Sequence, residues 1–182
     1  MNTPNKLTVL RILLVPVLLA VIYLMNESIV SSVISAVLFG LISLTDMIDG
    51  KLARKNNQIT DFGKFLDPLA DKILVVSVMV AFISKGYISS VAVIIVILRE
   101  FTVTSLRLIA ANSNVVIAAS WFGKAKTVFQ IATILILMFY PQITALTAFP
   151  VCDIFVWAMA LITVLSGVDY VVKNFGIIDY RK

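Results

Sequence analysis

The sequence predicts an all-α fold, an integral membrane bundle of six transmembrane helices, and three features predict it. The 182-residue chain is 60% apolar and only 14% charged, its mean hydropathy is +1.04, and its apolar residues fall into six runs separated by short polar breaks. These values lie far from those of an average soluble domain, so lipid is the expected main solvent. A spanning helix takes roughly 20 mostly apolar residues, so this length leaves room for about six spans and short loops. A single membrane domain over residues 1–182 is expected.

The first run, Leu7 to Met25, is too long for a signal-peptide core and lacks a small-residue cleavage pattern, so it is read as a retained helix. Pro4 and Asn5 suit its start, and residues up to about Leu7 are expected along the membrane surface. Asn26-Glu27 breaks the chain before the second run, Ile29 to Thr45, and the polar stretch Lys51 to Phe62 separates that from the third, Phe65 to Ile83. Lys85-Gly86 is a turn signal before the fourth run, Ile88 to Ala111, which ends at Asn112 to Asn114. The fifth, Val128 to Tyr140, reaches spanning length only if Lys124 and Lys126 lie in its first turn. Breaks around Pro141 and Pro150 precede the sixth, Val151 to Val172.

Orientation follows from basic residues, which concentrate on the cytoplasmic side. With the N-terminus inside, fourteen of the fifteen Lys and Arg fall in inner loops or inner helix halves and only Lys85 falls outside. Both termini are therefore expected in the cytoplasm, in a multi-pass protein of the cell membrane whose net charge of +5 suits an anionic inner leaflet. The basic residues bracket apolar helices and form no soluble patch, so no nucleic-acid partner is expected. Cys152 stands alone and histidine is absent, which excludes a thiolate or imidazole zinc site and an imidazole base. Any metal must be a hard cation held by oxygen.

The oxygens are conspicuous in Thr45-Asp-Met-Ile-Asp-Gly-Lys-Leu-Ala-Arg54 and Gly63-Lys-Phe-Leu-Asp-Pro-Leu-Ala-Asp71. Asp46 and Asp49 are three apart and Asp67 and Asp71 four apart, so on helices each pair shares a face. The short connection between them would bring the two faces into a box of four carboxylates. An ionised side chain at the bilayer centre costs on the order of 3 kcal/mol, and clustered carboxylates repel. They therefore belong at the water boundary or around divalent cations. Gly50, Gly63 and Ala53 thin the same faces where a ligand would approach backbone. The plain alternative, solvated helix-end charges pairing with Lys51 and Arg54, does not require paired carboxylates on both flanking helices.

Asp46-x2-Asp49-Gly50-x2-Ala53-Arg54-x8-Gly63-x3-Asp67-x3-Asp71 resembles the signature of the CDP-alcohol phosphotransferase family, matching all eight specified positions over 26 residues. The resemblance implies two divalent cations at the cytoplasmic side, Mg2+ or Mn2+, held by Asp46, Asp49, Asp67 and part of Asp71, with Asp71 as general base. It implies a site for the nucleotide and diphosphate of a CDP-linked lipid at Gly50, Ala53 and Arg54, with Thr45, Asp61 and Gly63 nearby. For Arg54 the plain alternative is a snorkelling helix-end cation. A homodimer is expected from the resemblance alone.

Asn5-Lys-Leu-Thr8-x2-Arg11-Ile, Arg99-Glu100 with Arg107, and Trp121-Phe-Gly123-Lys-Ala-Lys-Thr127 look like features of the family members that make phosphatidylglycerol phosphate. The resemblance therefore implies CDP-diacylglycerol as donor and sn-glycerol 3-phosphate as acceptor, with CMP released. Arg107, Lys124 and Lys126, with Arg11 reaching in from the first helix, would clamp the acceptor phosphate. Positive-inside anchoring is the plain alternative for the two lysines, and an internal ion pair joining helices for Arg99 and Glu100. Trp121, Phe122, Tyr140, Trp157 and Tyr170 are expected as interface-belt or packing residues. Rival acceptors within the family are serine, an inositol phosphate and phosphatidylglycerol. Outside it, a small cation carrier would need polar groups reachable from both faces, whereas the outer helix halves are almost uncharged. A purely structural protein does not explain the carboxylates.

Overall fold

A computed structural model describes residues 3–55, 61–112 and 121–174, with side chains at 8–45, 66, 69–110 and 121–174. Among them the chain is wholly helical: α1 (Thr3–Leu24), α2 (Ile29–Lys55), α3 (Asp61–Ser84), α4 (Ser90–Asn112), α5 (Trp121–Leu137), α6 (Tyr140–Leu146) and α7 (Val151–Asn174). The predicted all-α architecture holds, and the ends of its helices have local causes. Pro4 lies in the first turn of α1, where its missing N–H costs nothing. Ser28 caps α2 reciprocally: the Ser31 amide donates to Ser28 Oγ at 3.3 Å and the Ser28 amide to Ser31 Oγ at 3.2 Å. At the end of α3, Gly86 takes φ +72° while its amide reaches the Ile83 carbonyl and that of Tyr87 the Phe82 carbonyl. This is the left-handed helix stop that glycine favours, closed by the Phe82 and Tyr87 rings at 5.9 Å.

α5 starts seven residues before the apolar run at Val128, so Lys124 and Lys126 do lie in its opening turns. It stops at Leu137, and the chain bends by 69° into the short α6, a seventh helix that hydropathy does not reveal. Pro141 is the cause, because it offers no amide and its ring would clash with the carbonyl four residues back.

One apolar core runs through the bundle, with Val15, Leu18 and Ile22 of α1 facing Phe39 and Ile42 of α2 and Leu74, Val78 and Phe82 of α3. Val93 and Val96 of α4, Ile134 and Leu137 of α5, and Val156 and Met159 of α7 complete it. α1 packs on α2 and α3, while α7 packs on α4 and α5. The opposite faces are also apolar and exposed, as at Leu13, Val37, Leu41, Leu98, Phe101, Leu161 and Val172. Such an outer surface suits lipid and not water.

The expectation of six spans is met only in part. Among the described residues α7 alone is long and apolar enough to cross a bilayer unaided, and the bent pair α5 and α6 qualifies only together. The described side chains of α1 and α2 cover the apolar stretches Thr8–Leu24 and Ile29–Thr45, within helices of 22 and 27 residues. Charge explains the remaining two helices: α3 opens with Asp61, Lys64, Asp67, Asp71 and Lys72, and α4 carries Arg99, Glu100 and Arg107.

Candidate active site

The carboxylate pairs fall where helical spacing puts them. Asp46 and Asp49 occupy the last turns of α2, and Asp67 and Asp71 the first turns of α3. Each pair therefore shares a helix face, and an all-oxygen donor set suits a hard divalent cation. Among the described residues no three potential ligands converge on one point. The side chains of Asp46, Asp49 and Asp67 lie outside those residues, as do those of Gly50, Ala53, Arg54, Asp61 and Gly63.

Asp71 is described, and it is exposed into a cavity of about 470 Å³ between α3, α4 and α5. Among the described residues, five cations, Lys72, Arg99, Arg107, Lys124 and Lys126, share that wall with two carboxylates, Asp71 and Glu100. The cavity thus joins the predicted base to three of the four predicted phosphate ligands. The fourth, Arg11, is not among the residues that line it: it is 1% exposed, and its Nε donates to Thr45 Oγ1 at 3.4 Å between α1 and α2. Thr45 in turn donates to the Ile42 carbonyl at 2.6 Å and lines a separate apolar cavity of about 130 Å³.

Partners within the wall separate its cations. Lys126 is 3% exposed and donates to Glu100 Oε1, while Arg99 Nη1 reaches the same oxygen at 3.0 Å. Glu100 therefore forms the helix-joining ion pair, but with Lys126 of α5; Arg107, seven residues away on its own helix, bonds instead to α7. Anchoring in the lipid headgroups does not describe Lys126, because it is buried and paired. Arg99 Nη2 also donates to Ser166 Oγ at 2.8 Å, and its Nε is buried without a partner. Close packing of α4 on α7 fixes this side chain, since a Cβ on Gly167 would lie 3.1 Å from Arg99 Cγ.

Arg107 and Lys124 are the exposed cations of the wall. Arg107 Nε donates to Tyr170 Oη at 3.1 Å, and its guanidinium carbon lies 5.5 Å from the centre of that ring. Tyr170 is thus buried inside the bundle and not part of an interface belt, whereas Trp121 and Trp157 are exposed as expected. Sequence reasoning passed over Lys72, Gln130, Ser166 and Tyr170 as site residues. A signal existed for α7: Ser166 and Tyr170 are polar, four apart, and sit in an otherwise apolar helix.

The arrangement offers a carboxylate in a roomy cavity whose described lining is net-positive, which suits a phosphorylated substrate bearing a hydroxyl. Comparison with known proteins points the same way. Residues 1–169 match the family model described as CDP-alcohol phosphatidyltransferase. A Bacillus subtilis (strain 168) protein named CDP-diacylglycerol--glycerol-3-phosphate 3-phosphatidyltransferase is 40% identical, over 96% of this chain and 95% of that protein. One of the same name from Rickettsia felis is 34% identical over 93% of each. A probable phosphatidylglycerophosphate synthase of Mycobacterium tuberculosis (strain H37Rv) is 38% identical over 94% of this chain and 81% of that protein.

Proposed function

The chain belongs to the CDP-alcohol phosphatidyltransferase family, and on that premise we propose that it transfers the phosphatidyl group of CDP-diacylglycerol to sn-glycerol 3-phosphate, giving phosphatidylglycerol phosphate and CMP. One observation carries the choice of a phosphorylated acceptor, which the relatives' name makes glycerol 3-phosphate: among the described residues, the wall that holds Asp71 also holds five cations against two carboxylates. A phosphate dianion is drawn to such a surface, whereas serine or a neutral alcohol gains little from it.

The chemistry follows from these side chains. Arg107 and Lys124 hold the acceptor phosphate, which turns the acceptor hydroxyl toward Asp71. Asp71 takes the hydroxyl proton as the oxygen attacks the phosphorus bearing the diacylglycerol, and the diphosphate bond breaks to release CMP. Divalent cations, Mg2+ or Mn2+, held by Asp46, Asp49 and Asp67 with part of Asp71, would neutralise the diphosphate and acidify the attacking hydroxyl. Arg54, Gly50 and Ala53, with Thr45, Asp61 and Gly63 nearby, serve the cytidine diphosphate. The Glu100 and Lys126 pair keeps α4 and α5 in register behind the phosphate site.

The donor needs its nucleotide in water and its acyl chains in lipid. Exposed apolar faces on the helices and the basic bias of the loops support a bilayer-embedded, multi-pass protein with site and termini on the cytoplasmic side. The assembly proposed is a homodimer. The deciding experiment measures CMP release by purified protein given CDP-diacylglycerol with each acceptor, with and without chelator. Turnover confined to glycerol 3-phosphate and abolished by chelation is expected; turnover with serine or an inositol phosphate instead would overturn the acceptor.

A further inference from the structure

No residue of α7 lines the 470 Å³ cavity, yet two α7 side chains grip residues that do. Ser166 and Tyr170 are four apart, hence on one helix face, and both are buried. Ser166 Oγ accepts from Arg99 Nη2 at 2.8 Å, and Tyr170 Oη accepts from Arg107 Nε at 3.1 Å. The Tyr170 ring, 2% exposed, also lies under the Arg107 guanidinium, 5.5 Å from ring centre to Cζ. Gly167, between the two, lets the α7 backbone come close enough that a Cβ there would crowd Arg99.

A guanidinium tied through Nε keeps its two Nη groups for a second partner, and their fork matches the oxygens of a phosphate. A long side chain held in this way has already lost rotamer freedom that it would otherwise lose on binding. We propose that Tyr170 is a positioning residue that pre-sets Arg107 for the acceptor phosphate, so that α7 shapes a site it does not line. The proposal rests on the functional reading above.

Tyr170→Phe removes the hydroxyl and keeps the ring and its volume, so folding is preserved and the Tm in detergent serves as control. Its KM for glycerol 3-phosphate should rise roughly tenfold, the loss expected for one hydrogen bond to a charged group, while kcat and the KM for CDP-diacylglycerol stay within about twofold. Tyr170→Leu, which also loses the ring, should raise the same KM further. In an Arg107→Ala background, Tyr170→Phe should add nothing, because the group it positions is gone. An unchanged acceptor KM in Tyr170→Phe, a matched rise for both substrates, or full additivity with Arg107→Ala would each overturn the proposal alone. Wild-type protein that releases no CMP with glycerol 3-phosphate would overturn the functional reading and this proposal with it.

Discussion

The two ends of the bundle carry polar clusters of similar make-up and opposite character. At one end Glu27 accepts from Lys85 at 3.3 Å and from the Tyr87 hydroxyl, Tyr87 stacks on Tyr140 with ring centres 4.5 Å apart, and Ser32 donates to Gln142 at 3.0 Å. The space left there is about 30 Å³, room for a water molecule at most. At the other end the charges of α3, α4 and α5 surround about 470 Å³. Polar groups that complete one another across helix ends fasten a bundle. Groups that outnumber their partners around open space are set up to receive a charged molecule.

The sharpest way to break this contrast is Asp71→Asn. Turnover should fall about a thousandfold, within the range for a lost general base, while CDP-diacylglycerol binding is partly kept. CMP release and lipid binding measured side by side decide it, and equal loss of both would make Asp71 mainly a metal ligand. Next comes Glu100→Gln, which strips the partner from Lys126 and should cost about 3 kcal/mol of stability, as for a broken buried pair. Thermal unfolding in detergent measures it; an unchanged Tm would show that this end tolerates an unpaired cation.

The smallest effect belongs to the closed end. The Tyr87 hydroxyl, aided by Lys85 and opposed by desolvation, holds the Glu27 carboxyl below its ordinary value of 4.5. Burial foremost, and the bond to Glu27 after it, push the Tyr87 hydroxyl up. A depressed carboxylate stabilises the fold fully above pH 4.5 and loses that contribution as pH falls through its lowered value. Tyr87→Phe should therefore cost ~1 kcal/mol at neutral pH, flatten the acid decline of Tm, and leave both KM values alone. A change in acceptor KM would erase the distinction between the ends.

Legibility in the sequence followed the range of the interaction. The helix starts near Pro4 and Ser28 and the stop at Gly86 depend on neighbours a few residues away. The paired aspartates depend on the 3.6-residue period, so their faces could be read before any contact was known. The bend into α6 was half legible: Pro141 marked a break, but a break does not say that the chain resumes as a helix at 69°.

What the sequence determined by itself was the material of the protein: apolar helices, acidic pairs on α2 and α3, basic residues on one side, and a family signature across residues 46–71. Only the tertiary structure decided partnership. It gave Glu100 to Lys126 across 26 residues and Arg107 to Tyr170 across 63, and it set Arg11 beside Thr45. The physical reason is that helical periodicity is a local property of the chain, whereas the choice among several charges able to pair is made by which helix faces pack together.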